Sequence, residues 1–308
     1  MENVLVIGGA GFIGSSLVDT LLDKNYSVKV LDNFSSGSMK NLNHISDRIE
    51  IIRGDVLDRD LLNKEVKGMD YVVDLAGMGD LAKSVSNPLP YHDVNLTGLI
   101  NTLFYSEKNN VKNVVYSSSG SVYLDKPGAV SEDEALCPAS PYAASKMNSE
   151  IYMRVFRKTY NMKTTTLRFF NVYGIRRENS AYWGAVTLFM SSMFRKKPIN
   201  IYGDGNDVRD YIYVKDVARA VYMAIKNGAS GEYNIGTGKG TSTNELAEKI
   251  ENLFEYKVEI DHKPKRSGDT PSRIANTDKA YREFGFKYEY ELDTGLKDLK
   301  DYLSNVFK

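Results

Sequence analysis

The stretch VIGGAGFIG, residues 6–14, decides how the rest of the chain is read. It places Gly8, Gly11 and Gly14 at G-x-x-G-x-x-G spacing, between the apolar run NVLVIG (3–8) and an amphipathic segment over 12–24. The run reads as a buried strand and the segment as a helix. Glycines at such a junction let the backbone turn sharply and approach a pyrophosphate, while the helix start offers free N–H groups and the positive end of its dipole. Gly8, Gly11, Phe12, Ile13 and Gly14 are therefore expected to cradle a dinucleotide. Asp32 stands 18 residues after Gly14, at the end of a second apolar run, SVKVLD (27–32). A carboxylate there accepts hydrogen bonds from ribose hydroxyls and repels a 2′-phosphate, which favours NAD over NADP. The competing reading of the same residues is a tight structural turn followed by a loop aspartate.

Beyond this junction the apolar runs continue: IEIIRGD (49–55), DYVVDLA (70–76), VKNVVYSSS (111–119) and TTTLRFFNVYG (164–174), with helical spacing over 88–108. Val- and Ile-rich strands alternating with helices predict an α/β protein with a doubly wound parallel sheet. After Gly174 the alternation breaks, and a smaller α/β substrate-binding domain is expected. The predicted division is 1–172 plus about 206–237 for the nucleotide-binding domain, and about 173–205 plus 238–308 for the second. With 40 basic and 40 acidic residues the net charge is zero, which argues against nucleic-acid or membrane-surface partners. Cys137 is the single cysteine, so no internal disulfide can form, and a cytoplasmic protein is expected. His44, His92 and His262 lie far apart, without metal-ligand spacing, and no metal is expected.

Two further motifs follow in order: YSSSGSVY (116–123) after the fifth strand, and Tyr142-x-x-x-Lys146 in PYAASK (141–146). A tyrosine and a lysine at i and i+4 share one helix face, and alone they are ordinary surface chemistry. With the glycine cluster, with RFFNVYG (168–174), IYGDGNDVRDYIYVKDVARA (201–220) and RSGDTP (266–271), the chain resembles the extended short-chain dehydrogenase/reductases, in particular the NAD-dependent nucleotide-sugar epimerase and dehydratase group. The resemblance covers nearly the whole length.

It implies a catalytic set of Tyr142, Lys146 and Ser119. A phenol with its ordinary pKa of about 10 is a poor base at neutral pH, and nearby positive charge favours the phenolate. Tyr142 would then exchange a proton with a sugar hydroxyl, Lys146 would hold the nicotinamide ribose, and Ser119 would bond the same sugar oxygen. On the cofactor side the implied residues also include Asn33, Asp55, Val56, Leu75, Ala76, Gly77, Asn95 and Ser117. Asp55 has a plain turn-forming role as its alternative, and Asn95 a packing role. On the substrate side the resemblance implies a nucleoside-diphosphate sugar, UDP most of all, held by Ser121, Asn171, Arg209, Arg266 and Asp269. Arginine suits diphosphates because its planar fork meets their oxygens in pairs.

Dehydratases of this group carry an Asp–Glu pair after the catalytic Ser or Thr, and decarboxylases a Glu; this chain has Gly120 and Ser121. Without that acid, oxidation and re-reduction at one carbon remains, as in 4-epimerases of UDP-glucose, UDP-N-acetylglucosamine or UDP-glucuronate type. A 4-ketoreductase or another epimerase on a dTDP-, GDP- or CDP-sugar, and a non-catalytic NAD(H)-binding regulator, are the alternatives. The chain departs from the group at DLAGMGD (74–80), where a His-x-Ala-Ala-like run is usual, and at Arg273, where a small or aromatic residue gates sugar size. Arg273 either pairs with a charged sugar or faces solvent. A homodimer is expected, through a four-helix bundle that includes the tyrosine helix.

Overall fold

The computed structural model describes residues 1–124, 128–179, 183–265 and 272–307. Five strands form the sheet's first half: β1 (Asn3–Ile7), β2 (Ser27–Asp32), β3 (Glu50–Arg53), β4 (Tyr71–Asp74) and β5 (Asn113–Ser119). Between them run α1 (Phe12–Asp23), α2 (Arg59–Val66), α3 (Leu81–Ser86), α4 (Leu89–His92) and α5 (Gly98–Lys108). The strand pair member β6 (Ala129–Val130), the long helix α6 (Pro141–Thr159) and β7 (Thr164–Phe169) follow. A last strand, Gly231–Ile235, completes a seven-stranded sheet ordered from that strand through β7, β5, β4, β1 and β2 to β3, with every pairing parallel. This is a Rossmann-type sheet. The order reverses between β1 and β4, and the crevice at the carboxyl ends of those strands is where such sheets take ligands.

Strands β1, β4 and β5 are buried along nearly their whole length, as their Val, Ile and Leu runs require, whereas edge strand β3 is only partly covered. Helix α1 packs on one face with Val214–Lys226, and α2, α5 and α6 cover the other. A separate apolar core gathers Tyr173, Phe189, Met190, Ile199, Leu246, Ile250, Leu296 and Leu299. Short pairs stitch this region to the sheet's edge: Asn171–Tyr173 with Tyr211–Tyr213, and Ile274–Ala275 with β6.

Two sequence readings are refined. The run 164–174 splits at Phe170, because β7 stays in the central sheet while Asn171–Tyr173 turns to pair elsewhere. The helical stretch 88–108 is three segments, α4, a π-helical turn Asp93–Thr97 and α5. The wide turn carries Asn95, whose amide is spent on neighbouring elements.

Candidate active site

The glycine turn is built as its spacing demands. Gly8 sits at φ +77°, and a Cβ there would lie 2.8 Å from the backbone N of Ala76 and 2.9 Å from the carbonyl carbon of Leu75. The start of α1 rests so closely on the turn that a Cβ on Gly14 would be 2.2 Å from Gly8 O. Gly11 is the N-cap and offers no side chain to the helix's first N–H groups. A close-packed backbone cradle with uncapped donors is what a pyrophosphate fits. Phe12 is buried beneath the Arg177 guanidinium, 4.9 Å from its ring centroid, and Ile13 packs at the core's edge.

Asp32 ends β2, nearly buried, its carboxylate accepting from Ala10 N at 2.9 Å and Phe34 N at 2.8 Å. Burial pushes its pKa up and those two hydrogen bonds pull it back. Beside it, Phe34, Gly37, Ser38, Met39, Ile51 and Arg53 line a depression of about 530 Å³, in which the Arg53 guanidinium lies 5.6 Å from the Phe34 ring. Asn33 donates to Asp55 Oδ2 at 2.8 Å, and Asp55 Oδ1 accepts from Leu57 N at 2.9 Å. Asp55 therefore closes a turn and also steadies Asn33 at the depression's rim. Buried Val56 packs against Gly98, where α5 begins.

On the other side of the crevice, Ser140 caps α6 through Ala143 N, and Pro141 occupies the first helical position. Tyr142 therefore lies in the first turn, half-buried, with Lys146 one turn on and fully buried. Lys146 Nζ donates to Ser117 O at 2.7 Å and sits 4.7 Å from the Tyr116 ring centroid. It thus reaches the end of β5 two residues before Ser119. Burial lowers the ammonium's pKa to about 8, with the negative charges of Asp74 and Glu150 opposing that fall. Ser119 caps the short turn Gly120–Val122, its Oγ accepting from Ser121 N at 3.1 Å. Ser121 Oγ is buried without a hydrogen-bond partner among the described residues. Ser117 Oγ donates to Asp74 O at 3.2 Å, tying β5 to β4.

Asn95 bridges the two walls. Its Oδ1 accepts from Met78 N at 2.8 Å, and its Nδ2 donates to Ser145 Oγ at 2.9 Å. Ser149 Oγ donates to Asn95 O at 2.9 Å. The segment Leu75, Ala76 and Gly77 is thereby held against both the glycine turn and α6; a Cβ on Gly77 would come within 3.1 Å of Asn95 Oδ1 and 3.3 Å of Lys146 Nζ.

Beneath this wall lies a charged network absent from the sequence-based expectations. Glu150 and Arg168 are fully buried, and Arg168 Nε and Nη2 donate to the two carboxylate oxygens at 2.9 and 2.7 Å. Ser118 Oγ donates to Glu150 Oε1 at 2.6 Å, Arg168 Nη1 to Tyr123 Oη at 2.6 Å, and Tyr123 Oη to Asn234 Oδ1 at 2.6 Å. The network fastens the tyrosine helix to the three-serine strand end. The available signal was an arginine inside the β-rich run TTTLRFF and a glutamate one turn beyond Lys146.

Of the expected substrate residues, Asn171, Arg209 and Arg273 come together. Asn171 N and Nδ2 both donate to Asp210 O, and Arg209 Nη1 donates to Thr243 Oγ1 at 3.1 Å. Arg273 bridges to Arg209 along the backbone. Its side chain is buried and donates to Gly120 O at 3.3 Å and Tyr123 O at 2.9 Å, clasping the turn that carries Ser119 and Ser121. Arg266 and Asp269 lie outside the described residues. Among the described residues no cluster of His, Cys, Asp or Glu could hold a metal ion, and no helix is long and apolar enough to cross a membrane.

This arrangement has relatives. Residues 4–236 match the model of the NAD dependent epimerase/dehydratase family. A putative UDP-glucose 4-epimerase of Methanocaldococcus jannaschii is 36% identical over 305 residues, covering 98% of each chain. The Thermotoga maritima UDP-glucose 4-epimerase with UDP-glucose superposes with a TM-score of 0.95 at 35% identity, over 99% of this chain and 100% of that one. A Methanobrevibacter ruminantium UDP-N-acetylglucosamine 4-epimerase in complex with UDP-N-acetylmuramic acid gives 0.94 at 35%, over 99% of both. A dinucleotide-shaped glycine turn, a buried lysine behind a tyrosine at one crevice, and likeness along the full length lead to one statement: this chain belongs to the NAD dependent epimerase/dehydratase family of enzymes.

Proposed function

We propose that the protein is an NAD-dependent 4-epimerase of a UDP-sugar. The observation that carries this is Lys146, buried one turn behind Tyr142 and bonded to the strand end that presents Ser119, with Gly120 and Ser121 where an eliminating enzyme needs acids. When bound, NAD supplies reversible acceptance of hydrogen and an electron pair from the sugar carbon. Tyr142 takes and returns the proton of the sugar's 4-hydroxyl, helped by the positive charge of Lys146. Ser119 holds the same oxygen, and the free Oγ of Ser121 offers a further contact. The 4-keto sugar turns over in the crevice and is reduced on its other face.

In this reading the adenine occupies the depression between Phe34 and Arg53, Asp32 and Asn33 receive the adenosine ribose, and Asp55 supports Asn33. Asn171, Arg209, Arg266 and Asp269 serve the nucleoside diphosphate. The reading also carries a cytoplasmic location and a homodimer. Phe104 of α5 and Ile151, Tyr152 and Val155 of α6 stand exposed on neighbouring helices and supply the apolar face that a four-helix dimer needs. The test is a product-resolved screen of UDP-glucose, UDP-N-acetylglucosamine and UDP-glucuronate with the purified enzyme. We expect the 4-epimer of at least one, without net cofactor turnover. Stoichiometric oxidation of added NADH, or no 4-epimer from any nucleotide sugar, overturns the assignment.

A further inference from the structure

Asp74 ends β4 and is fully buried, directly beside Tyr116 in the sheet register. Its oxygens accept from Thr102 Oγ1 at 2.9 Å and Ala76 N at 3.1 Å, both neutral donors, and no basic group lies within ion-pair distance among the described residues. The Tyr116 ring that flanks it is the ring under Lys146 Nζ. Lys146 thus has two carboxylates near it. Glu150 is already neutralised by Arg168 through two charge-assisted hydrogen bonds, whereas the charge of Asp74 has no other counterpart.

We propose that Asp74 is the counter-charge of Lys146, a positioning residue that keeps the ammonium protonated behind Tyr142 and so sets the pH window of catalysis. This rests on the roles assigned above to Tyr142 and Lys146. The titratable groups around it are Tyr116 on β5 and, from α6, Lys146, with Tyr142 and Glu150 acting on the same Tyr116 phenol. Burial lifts the Asp74 carboxyl to about 6, against the Thr102 hydrogen bond and the Lys146 charge, so near neutral pH the two form a buried pair of opposite charges. A proton on Asp74 removes one negative charge from the neighbourhood, which lowers the pKa of the ammonium.

Asp74→Asn keeps the acceptor for Ala76 N and removes the charge. The alkaline limb of the pH–rate profile should move to lower pH by about one unit, leaving about tenfold less activity well above it. Thr102→Val leaves the charge but removes a donor that stabilises it, and should move the profile the same way by less. A second readout needs no turnover. Lys146 titrates lower in the folded protein than its ordinary 10.5, so folding stability rises with pH between about 8 and that value. In Asp74→Asn that rise in the unfolding midpoint should begin at lower pH. Profiles and unfolding curves of both variants that superimpose on wild type overturn the proposal, and if Asp74→Asn does not fold, Thr102→Val alone decides. Activity surviving in Tyr142→Phe would instead defeat the underlying functional reading.

Discussion

Replacing Glu150 by alanine tests whether the tyrosine helix is held to the serine strand by a buried ion pair. Glu150 and Arg168 side chains are 0% and 1% exposed. The substitution leaves Arg168 Nε and Nη2 without acceptors and takes the partner from Ser118 Oγ. The guanidinium does not escape by losing its proton near neutral pH, because arginine is effectively always protonated in proteins. Breaking one side of a buried pair costs about 3–5 kcal/mol. For a cooperative 308-residue chain that is a fall of about 5–8 °C in Tm. Calorimetry or denaturant unfolding reads the loss, and turnover should drop at least tenfold, because Ser119 and Lys146 then shift relative to one another. Glu150→Leu combined with Arg168→Met removes both charges at similar volume and should recover much of the stability. A Glu150→Ala protein within about 1 kcal/mol of wild type, or a double variant less stable than Glu150→Ala, refutes the reasoning.

Three other outcomes follow from the geometry. Gly14→Ala forces a Cβ against Gly8 O and Gly9 Cα, so α1 must lift from the turn; overpacking of this kind costs about 1–3 kcal/mol, and the variant should bind added NAD at least tenfold more weakly than wild type, measured by calorimetric titration. Lys146→Met removes a buried cation and leaves the Asp74 charge without a counterpart, so it should lower Tm and also cut kcat by about 10²-fold or more, measured by pairing Tm with turnover. Arg273→Ala frees the turn Gly120–Val122, and should lower kcat for uncharged and uronate sugars alike; a loss confined to UDP-glucuronate would mean that the guanidinium serves the sugar instead.

Much of the nucleotide-binding half was legible because its signals are local. A buried parallel strand writes itself as a run such as NVLVI, and Gly14 after it is compelled by backbone contacts only a few residues away in sequence, although Gly8 is also pressed by the distant backbone of Leu75 and Ala76. Phe170 was harder: the run 164–174 is apolar throughout, and only the tertiary pairing of Asn171–Tyr173 with Tyr211–Tyr213 breaks it. The wide turn at Asp93–Thr97 has no local marker, since its residues also fit an α-helix. At the site, the tyrosine–lysine spacing named the helix face, but what surrounds it could not be read along the chain. Glu150 looks like a surface residue of an amphipathic helix until β7 brings Arg168 beneath it, 18 positions away. Arg273 read as a sugar contact or a solvated charge because nothing local says that its guanidinium reaches the turn 150 positions earlier.

The most direct test of the central claim, transient oxidation at one sugar carbon with the proton handled by Tyr142, uses a UDP-sugar deuterated at C4. The account predicts that the 4-epimer forms with its deuterium retained at C4, that nothing exchanges with solvent, and that Tyr142→Phe halts the reaction while still carrying cofactor. Deuterium lost to water, or label found at another carbon, would contradict it.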